Sequence, residues 1–193
     1  KLQNDDESLP QLAAQVVAAV RQRYISSCAS WQVKPNSQVL ARLGNMLARG
    51  KLQDIEDVEY DFGGANIGDR GVICLLQALT LDRRSMVLSL KACGLRSGSA
   101  PVVATFLELH PGLRHLDLSQ NPLSFDAGEH ILHGLFWRER ERGQGPAVSR
   151  EVTIDVGGTA LAWDRGGLTT GPPCGTLWAD GTSRGRPFGY EKL

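Results

Sequence analysis

Apolar residues recur along the middle of the chain at a constant interval. The segment LRHLDLSQNPL, which begins at Leu113, has leucines at its first, fourth, sixth and eleventh positions and Asn121 at its ninth. A shift of 28 residues toward the N-terminus gives SMVLSLKACGL, where Cys93 takes the place of Asn121. A second shift of 28 gives DVEYDFGGANI, with Tyr60 and Phe62 in the leucine positions. A fixed period of this length predicts structural units that stack side by side.

Each unit predicts a short strand followed by a helix. Alternate residues of a strand point to opposite faces, so Leu116 and Leu118 should point inward and His115, Asp117 and Ser119 outward. After each strand, two further apolar columns recur at helical spacing: Leu75, Val103 and Ile131, and Leu79, Leu107 and Leu135. The sequence therefore predicts an α/β fold of short parallel strands with helices packed on one side.

A fourth copy follows after a longer interval. EVTIDVGGTAL places Ile154, Val156 and Leu161 in the strand positions, 38 residues after their counterparts. The extra residues lie near 136–146 (FWRERERGQGP), where alternating Arg and Glu predict a solvated continuation of the preceding helix. We therefore expect about four repeats over residues 51–168, with this insertion extending one helix.

Residues 57 to about 165 resemble leucine-rich repeats of the ribonuclease-inhibitor type, which alternate an Asn-bearing and a Cys-bearing repeat. The resemblance implies a short leucine-rich-repeat solenoid with parallel strands on the concave side and helices on the convex side. The Asn or Cys side chain is expected to satisfy backbone groups where the chain leaves the strand. Ala65 and Thr159 depart from the pattern, so we expect each of their turns to lack one side-chain hydrogen-bonding partner.

Residues 1–50 are predicted to form an N-terminal helical cap. Ser8 and Pro10 are typical of a helix start. One apolar face then follows at near-helical spacing: Leu12, Val16, Val20 and Tyr24. A second helix is predicted after Pro35, with this inner face: Val39, Leu40, Leu43 and Leu47. Both helices should cover the open end of the repeats, which would otherwise expose apolar surface to water. The segment also resembles the entry region of some ciliary and centrosomal leucine-rich-repeat proteins.

Residues 169–193 form a tail rich in Gly and Pro, which interrupt long helices and strands. The tail nevertheless contains Trp178, Phe188 and Tyr190, and aromatic residues are scarce in disordered segments. Two interpretations are open. The tail packs back and covers the C-terminal end of the repeats, or it is a strap whose aromatic residues dock into a partner.

Composition narrows the classes of partner. The 193 residues include 21 Lys+Arg and 21 Asp+Glu, and this balance argues against direct binding of nucleic acid. No apolar run approaches the roughly 18 residues of a membrane-spanning helix, so no membrane association is expected. Four scattered cysteines fit reduced thiols and a cytoplasmic location. The resemblance adds the cytoskeleton or cilium as an expected location.

Motifs that could support catalysis or ligand binding are incomplete. Asp155-Val156-Gly157-Gly158-Thr159 resembles the phosphate-binding turn of sugar kinases and actin, but only 34 residues follow it, too few for a nucleotide domain. His130 and His133 could reach one metal ion from one helix, yet no Cys or carboxylate pattern completes the set. We therefore expect a protein that is not an enzyme, without cofactor, metal or small-molecule substrate.

The outward strand positions form the predicted binding surface. They fall into three rows: Glu59, Val87, His115 and Thr153; Asp61, Ser89, Asp117 and Asp155; and Gly63, Lys91, Ser119 and Gly157. Neighbouring strands lie about 4.8 Å apart, so Asp117 and Asp155 should stand side by side, at an energetic cost unless a positive group compensates. Either these aspartates serve local hydrogen bonds, or they receive Lys or Arg from a partner. The predicted partner contacts are Glu59, Asp61, Ser89, Lys91, His115, Asp117, Ser119, Asp155, Trp178, Phe188 and Tyr190.

These features predict a non-catalytic protein–protein interaction or scaffold module, a structural subunit of a large intracellular assembly. The resemblance implies a ciliary or cytoskeletal assembly. The alternative is a regulator or inhibitor of an enzyme such as a nuclease or a small GTPase, although such regulators usually carry many more repeats.

Leu116→Ala should lower the free energy of unfolding by about 2–5 kcal/mol, because the predicted inward side chain would leave a cavity in the core. Denaturant unfolding monitored by circular dichroism measures this loss. A near-neutral result would contradict the predicted burial.

Overall fold

The computed structural model describes residues 8–49, 58–142, 152–159 and 176–178. Helices and strands alternate over most of this range, after two consecutive helices. In chain order, the elements are α1 (Ser8–Ser30), α2 (Ser37–Arg49), β1 (Val58–Asp61), α3 (Gly68–Leu79), β2 (Met86–Ser89), a 3-10 turn (Ser97–Ser99), α4 (Ala100–Leu109), β3 (Leu113–Asp117), α5 (Phe125–Arg142), β4 (Thr153–Asp155) and β5 (Thr176–Trp178). None of the described helices is both long and apolar enough to span a membrane.

Four strands form a parallel sheet in chain order, and β5 joins its β4 edge in the antiparallel direction. The pairing register aligns Tyr60 with Leu88, Leu88 with Leu116, and Leu116 with Ile154. These are the residues that the 28- and 38-residue shifts place in one row. The predicted mixed α/β fold with short parallel strands is therefore confirmed.

The register changes once, at the start of β3. Met86 pairs with Leu113 whereas Val87 pairs with His115, so Arg114 is an extra residue on β3. A strict 28-residue shift would have placed Arg114 opposite Met86. The irregularity instead allows the apolar Leu113 to be fully buried while Arg114 stays partly exposed, because an inserted residue changes the face on which its neighbours lie.

One continuous hydrophobic cluster joins the sheet to the helices. It contains the inward strand residues and both predicted helix columns. Helix α5 packs against α4, and α1 packs against α3 and α2. The predicted helix extension is confirmed as far as Arg142, since α5 has 18 residues against 12 in α3 and 10 in α4.

The helix starts at Ser8 and after Pro35 are confirmed, but the predicted apolar face of α1 is partly wrong. Leu12 is 58% exposed and Val16 is only partly buried. The buried face consists of Ala13, Val17, Val20, Tyr24 and Cys28. With 3.6 residues per turn, a strict spacing of four drifts around the helix, whereas a mixture of threes and fours stays on one side. In α2, Val39 and Leu43 are buried, and Leu40 and Leu47 are partly buried.

A buried ionic cluster links the sheet to the loops that precede its strands. Asp82 is 1% exposed and accepts a hydrogen bond of 2.8 Å from the Tyr60 hydroxyl. Arg84 donates to both carboxylate oxygens, from Nε at 2.8 Å and from Nη2 at 2.6 Å. The His110 ring contacts the carbonyl oxygen of Asp82. Burial by itself would raise the pKa of the Asp82 carboxyl, but the hydrogen bonds from Arg84 and Tyr60 outweigh burial and hold that pKa below its ordinary value.

Part of the tail lies against the sheet. The backbone of β5 pairs with β4, with Trp178 opposite Thr153 and Thr176 opposite Asp155. This pairing favours the packing interpretation for the residues of β5. Phe188 and Tyr190 lie outside the described residues, as do the predicted boundaries at 50/51 and 168/169, and the docking interpretation stays a prediction.

Asp82→Asn should lower the free energy of unfolding at pH 7 by about 2 kcal/mol or more, because Arg84 loses its buried counter-charge. The carboxyl has a lower pKa in the folded protein than its unfolded value of about 3.9, so its contribution is present above that pH and is lost as the pH falls below it.

The difference between wild type and Asp82→Asn should therefore stay constant above about pH 5 and shrink as the pH falls from about 4 toward the lower pKa of the folded protein, in urea unfolding experiments. Tyr60→Phe removes one hydrogen-bond donor to Asp82 and leaves the ion pair with Arg84. It should therefore lower the free energy of unfolding by less than Asp82→Asn does. A difference between wild type and Asp82→Asn that stays constant with pH would contradict the assignment of an ionised Asp82.

Candidate functional site

The outward face of the sheet carries the rows that the sequence predicts. Glu59 aligns with Val87, His115 and Thr153, and Asp61 aligns with Ser89, Asp117 and Asp155. His115 and Thr153 are joined across the strands by a hydrogen bond of 2.6 Å between Nδ1 and Oγ1. Glu59, Asp61 and Lys91 are exposed, while Ser89, His115, Asp117 and Asp155 are partly buried. Most of the predicted contact positions on the sheet are therefore accessible.

Three aspartates of this face are fixed by the turns that follow their strands. In each case, Oδ1 accepts a hydrogen bond of 2.8 Å from the backbone N–H two residues later: Asp61 from Gly63, Asp117 from Ser119 and Asp155 from Gly157. These bonds confirm the local role that the sequence left as one of two alternatives. Among the described residues, the second oxygen of each carboxylate accepts no hydrogen bond.

Ser119, another of the predicted partner contacts, is less accessible than the other predicted contacts on the sheet. The residue is only 5% exposed. Its turn lies between two equivalent turns: Ala92 N donates to Ser119 O at 3.0 Å, and Gln120 N donates to Gly157 O at 2.7 Å. Inter-strand bonding therefore continues beyond the strand ends, and the turn that contains Ser119 is bonded on both sides.

The acidic residues of the second row differ in their electrostatic surroundings. Asp61 forms an ion pair with Arg42, whose Nη1 lies 3.5 Å from Oδ1. Asp117 and Asp155 are direct partners on adjacent strands. In the part of the chain that the structure describes, neither forms an ion pair with a Lys or Arg side chain. Within the described ranges, the β3–β4 side of the face thus holds two adjacent carboxylates without an ion-paired cation, an arrangement that is destabilising in itself.

The turn beneath these aspartates is organised by Asn121, which is 1% exposed. Its Oδ1 accepts hydrogen bonds from Cys93 N at 2.9 Å and Leu95 N at 3.0 Å. Its Nδ2 donates to Leu90 O and Leu118 O, both at 2.8 Å. The predicted role of this side chain in satisfying backbone groups is confirmed, and it joins the β2 and β3 turns.

Cys93 and Thr159 occupy the corresponding position in the neighbouring units. The Cys93 thiol donates to Phe62 O at 3.1 Å, as predicted for a residue in the place of Asn121. Thr159 Oγ1 donates to Val156 O at 2.6 Å, so the expectation that its turn lacks a side-chain bond is wrong. A threonine hydroxyl is long enough to reach a carbonyl within its own turn, which an alanine such as Ala65 cannot do.

The described cysteines lie in the core of the protein. Cys28, Cys74 and Cys93 are fully buried and carry free thiols. Burial raises the pKa of the Cys93 thiol, and burial together with the neighbouring Cys28 raises the pKa of Cys74 to about 12. Thiols held in the protonated form are poor nucleophiles and poor metal ligands, so these side chains serve packing.

The remaining candidate motifs do not converge on a reactive centre. Within the described ranges, no group of three or more His, Cys, Asp or Glu side chains is placed to hold a metal ion. His130 and His133 are both exposed on α5, and His133 Nε2 accepts a hydrogen bond of 2.8 Å from Trp137 Nε1. In the phosphate-like turn after β4, Asp155 and Thr159 bond to their own turn.

Two residues at the β1 side of the face make contacts that the sequence does not predict. Arg42 of α2 donates to the carbonyls of Asp61 at 2.8 Å and Gly63 at 2.7 Å. Asn36 donates from Nδ2 to Ala65 O at 2.8 Å and caps α2 through Oδ1. An Asn before a helix is typical of a helix cap. A single Arg on the polar side of a helix, by contrast, does not predict hydrogen bonds to the turn after a strand.

A scan against models of protein families and a search of curated proteins each found no match to this chain.

Asp117→Asn should leave the free energy of unfolding unchanged or raise it by about 0.2–1 kcal/mol, because it keeps the turn hydrogen bond and removes repulsion from Asp155. Asp117→Ala should lower it by about 1 kcal/mol through loss of that hydrogen bond. Thermal unfolding at low ionic strength compares the pair. An equal loss in both variants would mean that the charge itself stabilises the fold.

Proposed function

We propose that this chain is a non-catalytic protein–protein interaction module built from leucine-rich repeats of the ribonuclease-inhibitor type, arranged as a short solenoid. Its binding surface is the outward face of the parallel sheet. The observation that carries the proposal is the adjacent pair Asp117 and Asp155, which has no counter-charge in the described part of the chain. A Lys or Arg of a partner turns this repulsion into attraction.

The hydrogen bonding of the turns supports the repeat assignment. Asn121 bonds to the turn of the preceding unit, and Cys93 bonds across to Phe62 in the unit before it. An Asn-bearing and a Cys-bearing unit therefore use the same position for the same purpose. The alignment of Tyr60, Leu88 and Leu116 in one row adds to this support.

The dimensions of the face limit the size of what binds. Four parallel strands span about 14 Å, which is wide enough for one helix or one extended segment of another protein. The first row combines Val87 with the hydrogen-bonded pair His115 and Thr153. Lys91 is exposed beside the acidic row. The partner segment is expected to place its basic residue over β3 and β4 and a smaller, less polar residue near Val87.

The resemblance of the N-terminal helices to ciliary and centrosomal proteins supports a structural role in a large cytoplasmic assembly of the cytoskeletal or ciliary kind. A regulator of an enzyme is the alternative, and the identity of the bound partner distinguishes the two.

The double variant Asp117→Asn/Asp155→Asn tests the proposal, because Asn keeps the acceptor that each turn needs and removes both charges. Partners are first cross-linked to the wild-type chain in native extract and identified by mass spectrometry. Binding of the purified partner is then measured by calorimetry at two salt concentrations. We expect the double variant to bind about tenfold more weakly or worse, and the affinity of the wild type to fall with salt.

Glu129→Gln is the matched control, since Glu129 is exposed on α5. It should bind as the wild type does. Equal affinities of the wild type and the double variant would overturn the assignment of the face. A partner whose turnover changes on binding would favour the regulator, whereas a stable multi-subunit complex would favour the scaffold.

A further inference from the structure

The first strand of a parallel sheet has no preceding strand to bond with its outward backbone groups, whereas the later strands do. At the end of β2, three alternate carbonyls accept N–H groups from the preceding unit. The bonds are Phe62 N to Ser89 O at 2.8 Å, Gly64 N to Lys91 O at 2.7 Å and Gly68 N to Cys93 O at 3.0 Å. Strand β1 lies at the edge of the sheet, so its equivalent carbonyls face no strand among the described residues.

Side chains from the N-terminal helical region supply the missing donors. The equivalent carbonyls, 28 residues earlier, belong to Asp61, Gly63 and Ala65. Arg42 donates to the first from Nη1 at 2.8 Å and to the second from Nη2 at 2.7 Å, and Asn36 donates to the third at 2.8 Å. The first two distances equal those of the corresponding backbone bonds to β2, and the third is 2.8 Å against 3.0 Å.

Both donors are held in place by further contacts. The Asp61 carboxylate lies 3.5 Å from the Arg42 guanidinium and helps to orient it. Asn36 accepts from Gln38 N at 2.9 Å, and its own N–H donates to the hydroxyl of the buried Tyr24 at 3.0 Å. The guanidinium suits this position because its planar fork places donors on separate nitrogens, whereas Lys has a single nitrogen.

We propose that Arg42 and Asn36 form an edge lock: they take the place of a preceding strand and keep β1 from pairing with a strand of a second copy of this chain. An edge strand with unpaired carbonyl and N–H groups is a template for pairing with another chain. Removal of the guanidinium leaves two carbonyls aligned in the same way as those that bind a neighbouring strand within the sheet. This proposal is independent of the partner that the outward face binds.

Arg42→Met tests the edge lock, because methionine keeps an unbranched side chain without N–H donors. Sedimentation velocity of the full chain over a concentration series measures self-association. We expect the variant to associate at a concentration about tenfold lower than the wild type. The ¹³C carbonyl shifts of Asp61 and Gly63 should change together with it. Arg70→Met, at an exposed position on α3, is the matched control and should behave as the wild type does.

If a folded Arg42→Met variant sediments as the wild type does, the edge lock is overturned. Unchanged carbonyl shifts at Asp61 and Gly63 would also overturn it. If Arg42→Met does not fold, the self-association of Arg42→Lys and of Asn36→Ala is measured instead, since each variant removes only part of the donor set. Increased association of either supports the proposal. Wild-type association of both overturns it.

Discussion

Inter-strand hydrogen bonding between equivalent residues is the constraint on which this structure depends. A parallel strand directs alternate peptide groups to each neighbour, so each unit has to donate to the next and accept from the one before. The 28-residue period meets this requirement and, in the same register, places Tyr60, Leu88 and Leu116 in one buried row. Backbone pairing and burial of the core are therefore satisfied together, and a slip in register would lose both.

Buried polar side chains complete the pairing where the backbone cannot. Asn121 joins two turns at the carboxyl ends of the strands. Near the amino ends of the strands, Asp82 binds both Tyr60 and Arg84. Such groups are costly to bury unless their hydrogen bonds are made. The two edges of the sheet are covered by different groups. Side chains close the β1 edge, and an antiparallel strand covers β4.

The register that builds the core also creates the acidic surface. Because Leu116 and Ile154 are paired and point inward, the next residues of the two strands, Asp117 and Asp155, are paired and partly exposed. Their turn hydrogen bonds explain why aspartate suits each position separately, but not why two of them lie side by side with no ion-paired Lys or Arg among the described residues. The basic partner that we propose would neutralise this pair, which is why the proposed binding surface lies at β3 and β4.

The sequence by itself determined the features that leave a local or periodic mark: the rows of the sheet, the helix starts at Ser8 and after Pro35, and the bonding role of Asn121. Only the tertiary structure decided the burial of Ser119, the extra residue in β3 and the contacts of Arg42 and Asp82. The physical reason is that periodicity reports which residues share an environment, whereas a charged side chain is stabilised by partners brought close in space. The bonds of Arg42 bridge about twenty residues along the chain and depend on the presence of an open sheet edge, which no local pattern around Arg42 records.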